Sequence, residues 1–135
     1  MTLFLDANVV IYLVEGTETL RERVAHALAR HREANDLAQI AVSRLSWLEC
    51  RVRPLRAGDR KTLRAYEKFF AAPDLVTIEL SAPVVEAAAQ LRAALNLSTP
   101  DALQAASALQ IPGPLRVFSN DRRFERVPGL SVEAV

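Results

Sequence analysis

Cysteine is nearly absent from this 135-residue chain, Cys50 standing alone. A lone cysteine excludes an intramolecular disulfide and fits a reducing compartment, and no Cys/His cluster offers a zinc site. Glycine is scarce, with four isolated residues, which disfavours a phosphate-binding P-loop or a dinucleotide fold. Lysine occurs only at 61 and 68, against fifteen arginines, a bias towards bidentate contacts with carboxylates and phosphates. No apolar run approaches the roughly 20 residues of a membrane span, and the start of the chain lacks a basic segment leading into an apolar run and a cleavage site. Repeats, linkers and low-complexity stretches are also missing. What these absences leave is a cytoplasmic chain with no membrane partner, expected to form one domain over residues 1–135. With 50% hydrophobic and 24% charged residues, it has enough apolar material for a real core.

What is present alternates. Residues 2–5 are a short, continuous run of strand formers and read as a buried strand, with Asp6 where the chain leaves the sheet. Residues 8–14 read as a short helix broken at Gly16, and Thr17 and Glu18 start a longer one towards His31. Residues 40–42 predict a second strand, and Ser43 caps the helix that follows. On that helix Leu45, Leu48, Val52 and Leu55 form the expected buried stripe, and Pro54 predicts an end or kink just before it. Trp47 points away from the stripe, towards a partner or the next helix, which is placed over 59–72. A third strand over 75–80 leads through Ser81 and Pro83 into a helix that Asn96 ends. Thr99 caps the next helix with Pro100 in its first position, and residues 115–118 and 130–132 read as the last strands. Strands that alternate with helices throughout call for an α/β fold, a parallel sheet covered on both faces. His26 and His31 have no partner pattern and read as surface residues.

Four acids sit at comparable junctions in this pattern. Asp6 lies at a strand end, where an open parallel sheet binds ligands, although it or Asn8 also suits a helix cap. Glu49 lies at the edge of the stripe, where a carboxylate needs a metal, a base or a raised pKa, unless it pairs with Arg53. Asp101 stands in a first helical turn, where acids are also enriched for stability alone. Asp121 leaves the fourth strand much as Asp6 leaves the first. Net charge is +1, yet if four of the sixteen acids are pooled in one site, twelve face seventeen basic residues elsewhere. An acidic hole in a basic surface would result. The basic residues concentrate between Arg51 and Lys68, either to position phosphates or as a solvated helix face.

Taken together, the stretches around these acids resemble a known family. Leu5-Asp6-Ala7-Asn8-Val9-Val10-Ile11-Tyr12, Ser46-Trp47-Leu48-Glu49, Thr99-Pro100-Asp101-Ala102-Leu103-Gln104-Ala105-Ala106 and Ser119-Asn120-Asp121-Arg122-Arg123-Phe124 resemble a PIN domain, over the whole chain. At this length the chain looks most like a VapC-type toxin of a type II toxin–antitoxin system. The resemblance implies a three-layer α/β sandwich with about five parallel strands, and a magnesium- or manganese-dependent ribonuclease. Its acidic quartet would be Asp6, Glu49, Asp101 and Asp121, supported by Asn8 and Ser119. It further implies an RNA substrate received by Arg44, Arg51 and Arg53, a cognate antitoxin, and a homodimer. Two departures touch no acid: Ser119 stands where Thr is more common, and Asn96 where many relatives have Gly.

Elementary electrostatics agrees. Two carboxylates about 4 Å apart repel by roughly 4 kcal/mol at an effective dielectric near 20, so four together need a cation, and hard divalent ions take oxygen ligands. A catalytically silent PIN module for RNA binding or scaffolding is the alternative, though such modules usually lack one of the acids. A receiver-like signalling domain is the other, but it would want an acidic pair after its first strand and a lysine after its last, and this chain has neither.

Overall fold

The apolar run at the start of the chain becomes the centre of the sheet. In the computed structural model, which describes residues 1–34 and 37–135, β1 (Thr2–Leu5) pairs in parallel with β2 (Gln39–Ser43) on one side and β4 (Leu115–Ser119) on the other. β3 (Leu75–Ile78) and β5 (Val132–Ala134) flank these, completing a five-stranded, all-parallel sheet of order β3-β2-β1-β4-β5. Leu5 lies opposite both Val42 and Phe118. The next residue on each strand, Asp6, Ser43 and Ser119, therefore comes to the same end of the sheet.

Six α-helices join the strands: α1 (Ala7–Glu15), α2 (Glu18–Ala34), α3 (Arg44–Ala57), α4 (Arg60–Phe70), α5 (Ala82–Leu95) and α6 (Thr99–Leu109). Side chains of β1 alternate between two cores. Leu3 and Leu5 enter one with Val9 and Val10 of α1, Val24 of α2, Cys50 of α3 and Tyr66 of α4, whereas Phe4 enters another with Ala41, Val117 and Ala108 of α6. Helices thus cover both faces, as a parallel sheet requires. Each fully buried Leu, Val or Phe contributes about 1.5–3 kcal/mol, so β1, buried from Leu3 to Leu5, anchors both cores at once. A third cluster packs α5 on α6 through the small residues Ala88, Ala102, Ala105 and Ala106, beside Val84 and Phe124. Among the described residues no helix is long and apolar enough to cross a membrane.

Chain breaks occur where the backbone demands them. Gly16 ends α1, and a Cβ there would collide with the Tyr12 carbonyl oxygen. Asn96 takes the left-handed conformation (φ 54°, ψ 39°) that closes α5.

Several local expectations are corrected. On α3 the predicted stripe is buried only at Leu45, with Leu48, Val52 and Leu55 58%, 36% and 54% exposed, while Ser46, Cys50 and Pro54 join Leu45 in facing inward. The inward face is chosen by fit: Cys50 lies against α1, its Sγ 3.9 Å from the Ala7 carbonyl oxygen, and Ser46 hydrogen-bonds to α6. Small or hydrogen-bonded side chains allow that close approach, which hydrophobicity alone does not register. α3 also continues through Pro54 and ends at Gly58 (φ 64°). A proline in the last turn forfeits a single hydrogen bond, and its own carbonyl is satisfied by the Asp59 N–H at 2.9 Å. β3 stops at Ile78 and β5 starts at Val132, because pairing with Ser43 and Val117 sets those limits. Ser98 rather than Thr99 caps α6, accepting from the Asp101 N–H. His31 is no free surface residue: its Nε2 lies 2.8 Å from Glu133 Oε2, and its ring packs edge-on against Phe118. Trp47 turns to α4, edge-on to Phe70.

Candidate active site

Connections run outward in opposite directions from β1 and β4, so their carboxyl ends frame the crevice where open α/β sheets take ligands. Asp6 stands there as the N-cap of α1. Its Oδ1 accepts from the Ala7 N–H at 2.7 Å, and its Oδ2 accepts from the Ser119 hydroxyl, also at 2.7 Å. Cap and candidate ligand are therefore one residue. Asp6 is 6% exposed, and both of these donors are neutral. Burial accordingly pushes its carboxyl up to about 6, against the two hydrogen bonds and with help from the charges of Glu49 and Asp101.

Ser119, fully buried at the end of β4, serves two groups: its hydroxyl donates to Asp6 and accepts the Asp121 N–H at 3.0 Å. Asn8 lies at the rim, donating to Asn120 at 3.0 Å.

Glu49 reaches the crevice from α3. Gln104 of α6 donates through Nε2 to Glu49 Oε1 at 3.1 Å and to Ser46 Oγ at 2.9 Å. Gln104 is 2% exposed, and its Oε1 has no hydrogen-bond partner. Burial raises the Glu49 carboxyl, opposed by the Gln104 hydrogen bond and reinforced by Asp101. Asp101 lies one turn before Gln104, fixed by the Ser98 cap, so a single helix presents one carboxylate and steadies another.

Asp121 completes the set in a different way. It caps the short 3-10 helix Arg122–Arg126, accepting the Arg123 N–H at 2.9 Å. The Arg123 side chain then wraps back, its Nη2 2.7 Å and its Nε 3.1 Å from Oδ2, with Nε also 3.0 Å from Oδ1. The same Nη2 lies 3.4 Å from Asp101 Oδ2. Arg123 thereby holds the Asp121 carboxyl below its ordinary value.

The fold brings the four acids into one electrostatic neighbourhood: Asp6 senses Glu49 and Asp101, Glu49 senses Asp101, and Arg123 joins Asp101 to Asp121. In this arrangement, no three Asp, Glu, His or Cys side chains among the described residues are grouped as a metal site. The donor chemistry nevertheless fits a hard divalent cation. All four groups are carboxylates, and neither Asp6 nor Glu49 has an ion-pair partner among the described residues. Cys50 adds nothing to that set, since burial pushes its thiol up to about 12.

The three arginines expected to meet RNA are each engaged within the chain. Arg44 forks onto Glu79, Arg51 lies 3.9 Å over the Trp47 ring, and Arg53 pairs with Glu15, which also accepts from the buried Tyr66 hydroxyl. Two contributors went unassigned in the sequence. Gln104 carried a signal, a large polar residue amid the small apolar face of α6. Arg123 carried none, because an acid and a base two apart are no helical pair.

The family model of the PIN domain matches residues 3–130. No curated protein matches the chain. Among solved structures, the chain is similar to VapBC2 from Rickettsia felis bound to a DNA fragment from its promoter, with 20% identity over 99% of this chain and 98% of that one and a TM-score of 0.73. It is also similar to a toxin–antitoxin complex from Klebsiella pneumoniae, with 26% identity over 96% and 95% and a TM-score of 0.67. VapBC-1 from nontypeable Haemophilus influenzae gives 17% identity over 99% and 98%, with a TM-score of 0.71.

Proposed function

This chain belongs to the PIN domain family, and from that premise we propose that it is a divalent-metal-dependent endoribonuclease acting as the toxin of a toxin–antitoxin pair. One observation carries the reading. A buried carboxyl without a cationic partner, Asp6, lies within electrostatic reach of two further acids at the switch point of a parallel sheet. Such a site costs stability unless a cation or proton neutralises it. The toxin assignment is supported by the likeness to toxin–antitoxin structures, among them the Klebsiella complex at 26% identity.

In this reading Asp6, Asp101 and Asp121 would hold Mg2+ or Mn2+, and Glu49 would orient the attacking water or a second ion. The ion, when bound, supplies Lewis acidity, easing deprotonation of a water and screening charge on the phosphate. Ser119 keeps the Asp6 carboxylate aimed into the crevice, and Asn8, through Asn120, borders it. Gln104 keeps Glu49 from turning away. Arg44, Arg51 and Arg53 receive RNA backbone, the first and third from side chains 43% and 62% exposed. Single-stranded or looped RNA suits a cluster of carboxylates in a crevice, since its phosphodiesters can bend to reach it. A cognate antitoxin and a second copy of the chain are the proposed protein partners.

The test is cleavage of a total RNA preparation by antitoxin-free protein with Mg2+, with Mn2+ and with excess chelator, beside Asp6→Ala. Cleavage that needs both metal and Asp6 is expected. An active Asp6→Ala protein would overturn the site assignment, and no cleavage in any condition would favour a silent RNA-binding module.

A further inference from the structure

One charged group in the crevice has no part in the reaction as proposed. The Arg123 guanidinium spans two of the four carboxylates, at 2.7 Å from Asp121 and 3.4 Å from Asp101, with its side chain 59% exposed. We propose that Arg123 is a resident counterion that competes with the divalent cation for Asp101 and Asp121, and so sets the affinity of the site for metal. This rests on the reading of those carboxylates as metal ligands.

The competition follows from which oxygens are taken. Both oxygens of Asp121 and Oδ2 of Asp101 face the guanidinium, and a cation binding there would meet the same lone pairs and a like charge. Asp6 and Glu49, by contrast, are held by neutral donors. An arriving cation therefore finds the inner pair open and the outer pair occupied. Displacement is feasible because Arg123 is anchored at its backbone: its N–H stays on Asp121 Oδ1 while the exposed side chain swings out. Without metal, the same guanidinium relieves the repulsion between the two outer carboxylates and keeps them converged.

Arg122 provides a control in the same segment. Its side chain is 81% exposed and lies 3.6 Å from Glu125, and no ion pair joins it to the four acids. Replacing it removes the same charge from the protein without removing the contact.

The experiment is calorimetric titration of Mn2+ into antitoxin-free wild type, Arg123→Gln and Arg122→Gln, with thermal unfolding of each in chelator and in Mn2+. Arg123→Gln is expected to bind Mn2+ about fivefold tighter, the scale of one exposed ion pair, with Arg122→Gln unchanged. In chelator Arg123→Gln should unfold at a lower temperature than wild type, and Mn2+ should close that gap. Unchanged or weaker binding by Arg123→Gln, with wild type still binding, overturns the competition and leaves the proposed function intact. Equal tightening by Arg122→Gln overturns it too, since net charge alone would then account for the effect. Absence of Mn2+ binding in all three proteins removes the metal-ligand reading and this inference with it.

Discussion

Asp6 and Asp121 follow neighbouring parallel strands at the same end of the sheet, yet their carboxyls are driven in opposite directions. Asp6 is buried among neutral donors and rises to about 6, whereas Asp121 lies at the rim against Arg123 and falls below its usual value. A cap position does not set a carboxylate's charge: depth and the nearest base do. The crevice therefore has an inner half, Asp6 and Glu49, that is short of positive charge, and an outer half, Asp101 and Asp121, that brings its own.

The largest effect should come from the residue that joins the halves. Ser119→Ala removes the hydroxyl that donates to Asp6 and accepts from Asp121. Mn2+ titration should show affinity falling about 10–100-fold, the usual consequence of losing a group that orients a ligand. Affinity unchanged from wild type would mean that the two halves act independently.

A smaller loss is expected at Gln104, which touches the inner half alone. Gln104→Leu deletes the donor to Glu49 and to the buried Ser46 hydroxyl, together with an amide oxygen that has no partner, so stability should fall by about 1 kcal/mol while cleavage falls about tenfold. A large drop in unfolding temperature, with cleavage intact, would recast Gln104 as a core residue only.

The smallest effect, and the one that contrasts the halves most directly, is the pH dependence of stability in chelator. Folded Asp6 titrates near 6 against 3.8 for the ordinary group, so the folded chain holds a proton that the unfolded chain has lost. Its contribution therefore declines as pH rises from about 4 to about 6 and is constant above. Asp121 has the opposite sign: its lowered pKa gives stability that is present above 3.8 and lost as pH falls through the folded value. Thermal unfolding from pH 3 to pH 7 should show a shallower upper slope in Asp6→Asn, with Glu49 supplying the remainder, and a shallower lower one in Asp121→Asn. Slopes of the same sign would contradict the contrast.

Much of this was legible along the chain. A short apolar run ending in an acid, the Ser43 cap, the Ser81 cap and the Asn96 break all depend on a few adjacent residues, and the structure has each in place. The face of α3 was misjudged because burial there is decided by close packing of Ser46 and Cys50 against α1 and α6, not by local hydrophobicity. Strand ends were misjudged because they belong to the partner strand. Gln104 and Arg123 acquire meaning only across 55 positions to Glu49 and 22 to Asp101, spans that no local pattern reports.

By itself, then, the sequence determined the alternation of strand and helix, the placing of Asp6, Asp101 and Asp121 at element ends and the family these stretches resemble, since these follow from spacing and short-range hydrogen bonding. Tertiary structure decided which of these carboxyls is buried among neutral donors and which meets a base. Burial, the Ser119 hydroxyl and the reach of Arg123 exist only once β1, β4 and α6 converge, and electrostatic energy depends on distance and dielectric rather than on order along the chain.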